Sequence, residues 1–278
     1  MGADISGGQG SADLTTLVFP QLSSGALAQF PIQTKRLKRT ILNQAEDGSR
    51  IVLADMNQST IEWGLRYSGL SDAEAATLSQ FFQSTEGSLQ TFLFVDPTSN
   101  LLAQSETLNQ TVWQENALLT IQGNISDPLG TNRATRIVNT SAGALTLAQT
   151  LSIPSTLTCC FSVYLRSGQA ANVTLSRTSG GNSAASTVAI AAAWQRKVLV
   201  GTVLNGGTSC VFAVAIPAGL SVDVFGLQVD AQSAASQYVQ TYAQSGVYPN
   251  ARFQSDVLTI TADGPNRNSC SLSIVTNG

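Results

Sequence analysis

Residues 59–97 read STIEWGLRYSGLSDAEAATLSQFFQSTEGSLQTFLFVDP, and the reading of this stretch decides the fold. Ile61, Trp63, Leu65 and Tyr67 fall at every second position, the period of a strand with one buried face. Glu62 and Arg66 then point the other way. The period changes after Leu70. Ser71 is a good helix N-cap, and Glu74 three residues on completes a capping box. Leu70 precedes the cap, where an apolar residue fixes the entry of the chain. Ala75, Leu78, Phe82 and, at the margin, Phe81 recur at steps of three and four, giving one apolar stripe. Gly87 suits a left-handed stop. LQTFLFVDP then returns to a strand, ended by Pro97. A helix with a Leu/Phe stripe needs a sheet to cover it, so this segment predicts a small β-rich domain with one helix.

Upstream, residues 1–16 read as a flexible Gly-rich arm, although Gly2 and Ser6 match a myristoylation pattern. RIVLADMN (50–57) is a further strand candidate. KRLKR, Lys35 to Arg39, is the one basic cluster. On a strand, Lys35, Leu37 and Arg39 share one face while Arg36 and Lys38 share the other. A strand basic on both sides suits a sheet edge or an acidic neighbour. Lys35, Arg36, Lys38 and Arg39 are therefore the candidate interface residues. Nucleic-acid binding is the sharper alternative, but interleaved aromatics are absent and the net charge is −3.

Downstream, ATRIVNT, LTLAQTLSI, LTCCFSVYLRS, ANVTLSRT, STVAIAA, QRKVLVGTVL, CVFAVAIPAG and SVDVFGLQV recur about every ten residues with turn residues between them. That spacing predicts a β-sandwich or jelly roll. SGGNS and LNGGTS read as hairpin turns. DVLTITA and SCSLSIVT flank a Gly-Pro-Asn turn near the C-terminus.

The chemistry inventory is short. The chain has 278 residues and no histidine, which removes the usual general base, the usual activator of Ser or Cys, and the commonest zinc ligand. A pair of carboxylates acting on glycans stays open, with Asp223 and Asp230 near strand positions. The same two could supply part of a calcium site, but no acidic cluster is visible. The four cysteines lack metal spacing and read as reduced, buried small hydrophobes. No cofactor is implied. Charged residues make up only 11% of the chain, far below a typical quarter. Such a polar, uncharged surface suits a protein packed against neighbours. No apolar run is long enough for a membrane helix.

Trp63, Arg66, Tyr67, Leu70, Ser71, Glu74, Phe81, Phe82, Gly87, Phe92, Phe94, Asp96 and Pro97 together resemble the N-terminal region of tail-tip proteins of long-tailed bacteriophages and gene transfer agents, the distal tail and hub-associated group. The resemblance covers about 40 residues. It implies a belt domain that forms a ring, usually a hexamer, beneath the tail tube. It also implies a terminal hairpin that returns to the first sheet. NLLAQSE, FSVYLRS, AAWQRKVLVGT and FGLQVDAQSAASQYVQT resemble jelly-roll carbohydrate-binding-like modules, with Gly226, Gln228, Asp230, Ser236 and Tyr238 at matching positions and the Gln facing the core. Sugar binding by such modules would use flat aromatics, for which Trp113, Tyr164, Trp194, Tyr238 and Tyr242 are candidates. Each also has a plain reading as a core or edge aromatic, Trp113 and Trp194 as caps on the sandwich core.

The expectation is a mainly β chain: a belt domain from residues 17–99 and 246–278, with a jelly roll at 100–245 inserted between its halves. The expected function is a structural, non-enzymatic virion protein in the phage tail, assembled in the host cytoplasm. It would join itself in a ring and meet tail tube, hub and tape-measure proteins, with possible contact to a host saccharide and none to nucleic acid or membrane interior. The alternatives are a free carbohydrate-binding or adhesin module and a glycan hydrolase.

Overall fold

The computed structural model describes residues 16–277. Residues 1–15 of the expected N-terminal arm, Gly2 and Ser6 among them, lie outside that range. The chain is mainly β with one helix. Its N- and C-terminal segments share one sheet, and a β-sandwich is inserted between them.

The first segment supplies β1 (Gln29–Gln44), β2 (Arg50–Leu70), α1 (Asp72–Ser84) and β3 (Phe92–Val95). The last supplies β14 (Val247–Phe253), β15 (Ile260–Gly264) and β16 (Arg267–Asn277). They form a sheet in the order β1-β2-β16-β14-β3, with β15 also on β16. Thus β16, at the end of the chain, lies directly against β2, pairing Ile274 with Trp63 and Leu272 with Leu65. The alternation along β2 explains this sheet's two faces. Trp63, Leu65 and Tyr67 are buried with Phe92, Phe94, Phe253 and Ile274. Trp63 packs 4.8 Å from Tyr248 and 5.0 Å from Phe94, ring to ring.

Helix α1 covers this core. Ser71 caps it: its Oγ accepts from Glu74 N at 3.2 Å, and Glu74 Oε2 accepts from Ser71 N at 3.0 Å. Glu74 Oε1 also accepts from the backbone N and Oγ of Ser23, at 3.0 and 2.6 Å. The Ser23 hydroxyl, then the backbone donors, hold the Glu74 carboxyl down at about 2. Phe81 is central rather than marginal, meeting Phe19, Phe92 and Phe253 at 5.6, 5.1 and 6.0 Å. The helix stops through two left-handed residues, Glu86 (φ 52) and Gly87 (φ 65), so the turn begins one residue before the expected glycine. Asn266, at the tip of the β15–β16 hairpin, accepts from Asp72 N at 2.9 Å, tying the C-terminal hairpin to the helix start.

The sandwich holds β4 (Gln114–Glu115), β5 (Leu119–Ile125), β6 (Ala134–Asn139), β7 (Leu145–Leu151), β8 (Cys159–Arg166), β9 (Ala171–Ser179), β10 (Asn182–Ile190), β11 (Gln195–Gly201), β12 (Cys210–Ile216) and β13 (Ser221–Asp230). Two five-stranded antiparallel sheets result, ordered β10-β9-β12-β7-β4 and β11-β8-β13-β6-β5. Phe161 and Phe212 meet between them, 5.6 Å apart. SGGNS is the β9–β10 hairpin turn, with Gly180 and Gly181 both at positive φ. LNGGTS is not a hairpin turn. Strands β11 and β12 belong to opposite sheets, so residues 202–209 cross the sandwich, because β11 pairs with β8 and β12 with β7 and β9.

The chain enters and leaves the sandwich side by side. Asp96 N donates to Gly246 O, and Gly246 N to Asn100 O. Asn100, fully buried, ties the junction: its Nδ2 donates to Leu227 O at 2.8 Å, and its Oδ1 accepts from Leu102 N and Val229 N at 3.0 and 3.1 Å. A side chain on Gly246 would press on Leu101, Ser99 and Asn100 O at 3.0–3.2 Å, so glycine lets the crossings touch. Gln21 adds a second tie, donating to Thr158 O and accepting from Thr158 N.

Candidate functional site

Two features stand apart from simple packing. One is the ribbon made by β1 and β2. Strand β16 covers β2 only as far as Thr60, opposite Asn277. Beyond that, Arg39–Gln44 pair with Arg50–Asp55, and among the described residues no third strand joins this part of the ribbon. From Leu37 to Gln44 the ribbon extends roughly 25 Å at about 3.4 Å per residue. The turn at its tip is polar: Asp47 Oδ1 accepts from Ser49 N, and Gly48 takes φ 84. Its flanks are apolar. Leu37, Ile41, Leu42, Ile51, Val52 and Leu53 are 36–66% exposed.

The KRLKR residues lie on β1, the edge strand. Lys35 pairs with Glu62 at 2.9 Å across the register, and Arg39 reaches Asp55 at 3.8 Å. Arg36 and Lys38 sit with Arg39, Asp55 and Gln244 around a surface cavity of about 500 Å³. All four basic residues are exposed.

The second feature is the outer face of the β11-β8-β13-β6-β5 sheet. Tyr164 lies opposite Phe225 on β13 and Arg196 on β11. Tyr164, Phe225 and Tyr238 form one aromatic row, with centroids 6.0 and 5.2 Å apart. Three guanidinium groups lie over rings on this face: Arg196 on Tyr164 at 5.4 Å, Arg133 on Phe225 at 5.3 Å, and Arg166 on Trp194 at 4.6 Å. Asp223 is held by Arg136 at 2.7 Å and Arg166 at 2.9 Å. Those two arginines take both carboxylate oxygens, which leaves Asp223 poorly placed to ligate calcium. Among the described residues no group of three or more Cys, Asp or Glu side chains gathers as a metal site.

The residues 231–239 fold back over this face. Gln228 is buried beneath them rather than between the sheets: its Nε2 donates to Asp230 Oδ1 at 3.0 Å and to Ser236 Oγ at 2.8 Å, and its Oε1 accepts from Val239 N at 2.7 Å. Strand β13 bulges here, and Gly226 at φ 64 lets Tyr238 lie at 3.2 Å from where a Cβ would stand. Tyr238 OH meets Ser105 Oγ at 2.8 Å and Glu106 Oε1 at 3.1 Å. Burial pushes the Glu106 carboxyl up, against the pull of Tyr238 and Arg133.

The five aromatic candidates therefore divide. Trp113 is buried and donates Nε1–H to Gln104 O at 3.0 Å. Trp194 sits on the outer face under Arg166, not over the sandwich core as its sequence position suggested. Tyr164 and Tyr238 come together around Gly226, partly covered. Tyr242 is 69% exposed. Their flat faces do not line one open cleft. The opposite outer face, on β10-β9-β12-β7-β4, carries no aromatic ring at all: its register rows are Ser183–Thr178–Val211–Thr150, Ala185–Ser176–Ala213–Ala148 and Thr187–Thr174–Ala215–Thr146.

The cysteines are free and buried. Burial pushes the Cys159 thiol up to about 12 and those of Cys160 and Cys270 to about 11, which suits packing rather than nucleophilic chemistry. The ribbon was half legible in sequence: KRLKR marked the edge, but nothing in a local pattern showed that β2 would outrun its neighbour.

No family model matches the chain, and no curated protein matches it. Solved structures similar to part of it include the CBM22-1 xylan-binding domain of Paenibacillus barcinonensis Xyn10C, at 12% identity and TM-score 0.41, covering 51% of this chain and 97% of that one. TmCBM61 in complex with β-1,4-galactotriose aligns at 13% identity and TM-score 0.38, over 49% of this chain and 100% of that one. The enzymatically active domain of tailspike protein 4 from bacteriophage CBA120 aligns at 12% identity and TM-score 0.37, over 49% of this chain and 22% of that chain.

Proposed function

We propose that the chain is a structural subunit of a phage tail, a ring-forming adaptor at the distal end that joins tube to hub and acts without catalysis. The observation that carries this reading is the ribbon of residues 37–53. A two-stranded hairpin is marginal alone in water, and this one exposes six large aliphatics on a chain with few charges. Such a surface fits a protein that is covered by neighbours in its working state. The sequence pattern of residues 59–97 supports the tail-tip class. The belt would provide the ring, and the sandwich would ride outside it. Light scattering and negative-stain microscopy of the purified chain, alone and with tube protein, test the reading. Closed rings of a fixed subunit number are expected. A monodisperse monomer under both conditions would overturn it.

A second reading is a carbohydrate-binding module. It is favoured by the exposed ring of Tyr242 and the aromatic row Tyr164, Phe225 and Tyr238 on the sandwich. Here saccharide would bind the sandwich with or without a ring, and repetition around a ring would raise avidity. A glycan array tests it: binding lost on Tyr242→Ala supports it, and no bound glycan on the array rejects it. A reducing-sugar assay on any bound glycan separates binding from hydrolysis.

A further inference from the structure

We propose that the cavity at the root of the ribbon binds a phosphate monoester. Arg36, Lys38 and Arg39 hold the dianion, and Ile61 and Ala54 form the apolar wall against which its carbon stem lies. The site belongs to a single chain and does not depend on the ring reading.

A bulge builds the cavity. Strand alternation puts Arg36 and Lys38 on one face of β1 and Arg39 on the other. All three nevertheless border the same opening of about 500 Å³, beside Ser59 and Gln244. The register supplies the reason. From the Leu37–Thr60 pair to the Arg39–Asp55 pair, β1 advances by two residues while β2 advances by five. The surplus on β2 breaks the pleat, and such a break re-aims the side chains next to it.

Charge in the cavity is unbalanced. Its walls carry three cations and one carboxylate, that of Asp55, a net +2 (3 − 1). Asp55 reaches Arg39 at 3.8 Å. Among the described residues Lys38 has no hydrogen-bond or ion-pair partner, and Arg36 meets the phenol of Tyr248 but no carboxylate. Tyr248 also feels Asp96, but that carboxylate is buried in its own turn, where its Oδ1 accepts from Thr98 N and Oγ1 at 2.8 and 2.7 Å. Lys35 makes the contrast: one position before Arg36, it is taken up by Glu62 at 2.9 Å.

This excess selects the ligand. A carboxylate would neutralise one of the two charges. A phosphate monoester carries about −1.5 to −2 at pH 7 and neutralises both. Its oxygens suit two guanidinium forks and an ammonium. Thr40, Ser59 and Gln244 add donors that have no partner among the described residues. The volume is that of a small-molecule site.

The test uses the full chain, with calorimetric titration and phosphorus NMR line broadening. The probes are inorganic phosphate, glycerol phosphate and glycerate, which presents a carboxylate on a similar stem. Glycerol phosphate should bind at least as tightly as inorganic phosphate, and both at least about tenfold more tightly than glycerate. Lys38→Gln and Arg36→Gln should each weaken glycerol phosphate at least about tenfold, the loss of one charge-assisted hydrogen bond. Arg50→Gln removes the same charge from the ribbon's tip, five residue pairs beyond Arg39. That is roughly 17 Å at about 3.4 Å per residue, more than twice the screening length at physiological salt, so affinity should stay within about twofold. All these side chains are exposed, and circular dichroism should not change. No saturable binding of either phosphate below about 10 mM would overturn the site. So would glycerate binding as tightly, or Arg50→Gln weakening binding as much as Lys38→Gln, which would mean diffuse attraction. A chain that stays monomeric alone and with tube protein, yet binds glycerol phosphate in this pattern, would overturn the ring reading and leave the site standing.

Discussion

Asn100→Ala is the sharpest test of the insertion. The side chain is fully buried where the chain enters the sandwich, and it bonds to Leu102 beside it, to Leu227 and Val229 on β13, and to Val239 on the segment that leads out of the sandwich. Removing it orphans the N–H groups of Leu102 and Val229 and frees the carbonyls of Leu227 and Val239 from their donor. An orphaned buried donor costs about 1–3 kcal/mol. Two donors, with the carbonyls partly satisfied elsewhere, give a loss of about 3–4 kcal/mol. That is a large share of the roughly 5–15 kcal/mol by which domains are stable. At ~2–4 °C per kcal/mol the melting midpoint should fall by roughly 10 °C. Urea titration followed by tryptophan fluorescence reads the result. Trp63 reports the belt; Trp113 and Trp194 report the sandwich. If the two halves share one junction, the variant lowers both and separates their transitions. Asn109→Ala, at an exposed site nearby, should stay within about 0.5 kcal/mol of wild type. A loss below about 1 kcal/mol for Asn100→Ala, or one confined to the sandwich signal, would refute the claim that this residue couples the two.

Phe212→Ala empties the ring pair at the centre of the sandwich and strips the ring under Arg177, and should cost about 3–5 kcal/mol by chemical denaturation. Gly226→Ala places a Cβ 3.2 Å from Tyr238 at φ 64 and should cost about 1–2 kcal/mol, with Tyr238 fluorescence altered and the belt unchanged. The Glu74 carboxyl titrates at about 2 when folded against 4.5 when free, so its contribution is complete above pH 4.5 and disappears as pH falls toward 2. Wild-type melting should therefore fall more steeply over that window than that of Glu74→Gln; parallel curves would show that the Ser23 and Ser71 contacts do not depend on the charge.

What could be read from sequence follows the range of the interactions. The helix was legible because its signals are local: Ser71 and Glu74 sit three residues apart, and the capping box forms between them alone. The buried face of β2 was legible because strand period and burial coincide at Ile61, Trp63, Leu65 and Tyr67. LNGGTS misled because a glycine pair fits a hairpin turn and a crossing loop equally well; the decision lies with Ser155 and Ser179, which pack within 2.8 Å of where a Gly206 Cβ would stand. Gln228 misled for the same reason, since alternation says which residues share a face but not that a bulge at Gly226 and the folded-back residues 231–239 bury the outer one. The aromatic candidates were found by type, and the guanidinium groups over two of them, Arg166 on Trp194 and Arg196 on Tyr164, come from other strands. The bond from Ser88 to Asp256 joins loops more than 160 residues apart, and no spacing announces it.

Magnitudes also decide how assembly should proceed. Six aliphatics that are already about half covered in the ribbon gain roughly 1 kcal/mol apiece on full burial, from about 1.5–3 kcal/mol for a whole side chain. The total, about 6 kcal/mol, falls within the roughly 4–15 kcal/mol that association costs in lost freedom. A contact made by a single ribbon is therefore weak. In the proposed ring each subunit would make such a contact on both sides, and the last contact would form without a further loss of translational freedom, so closure would be favoured far more than any open chain. Sedimentation velocity should accordingly show two boundaries, monomer and ring, with the ring fraction rising steeply with concentration. A ladder of dimers, trimers and tetramers would mean that pairwise contacts are strong by themselves, and the energetic argument from the ribbon would fail.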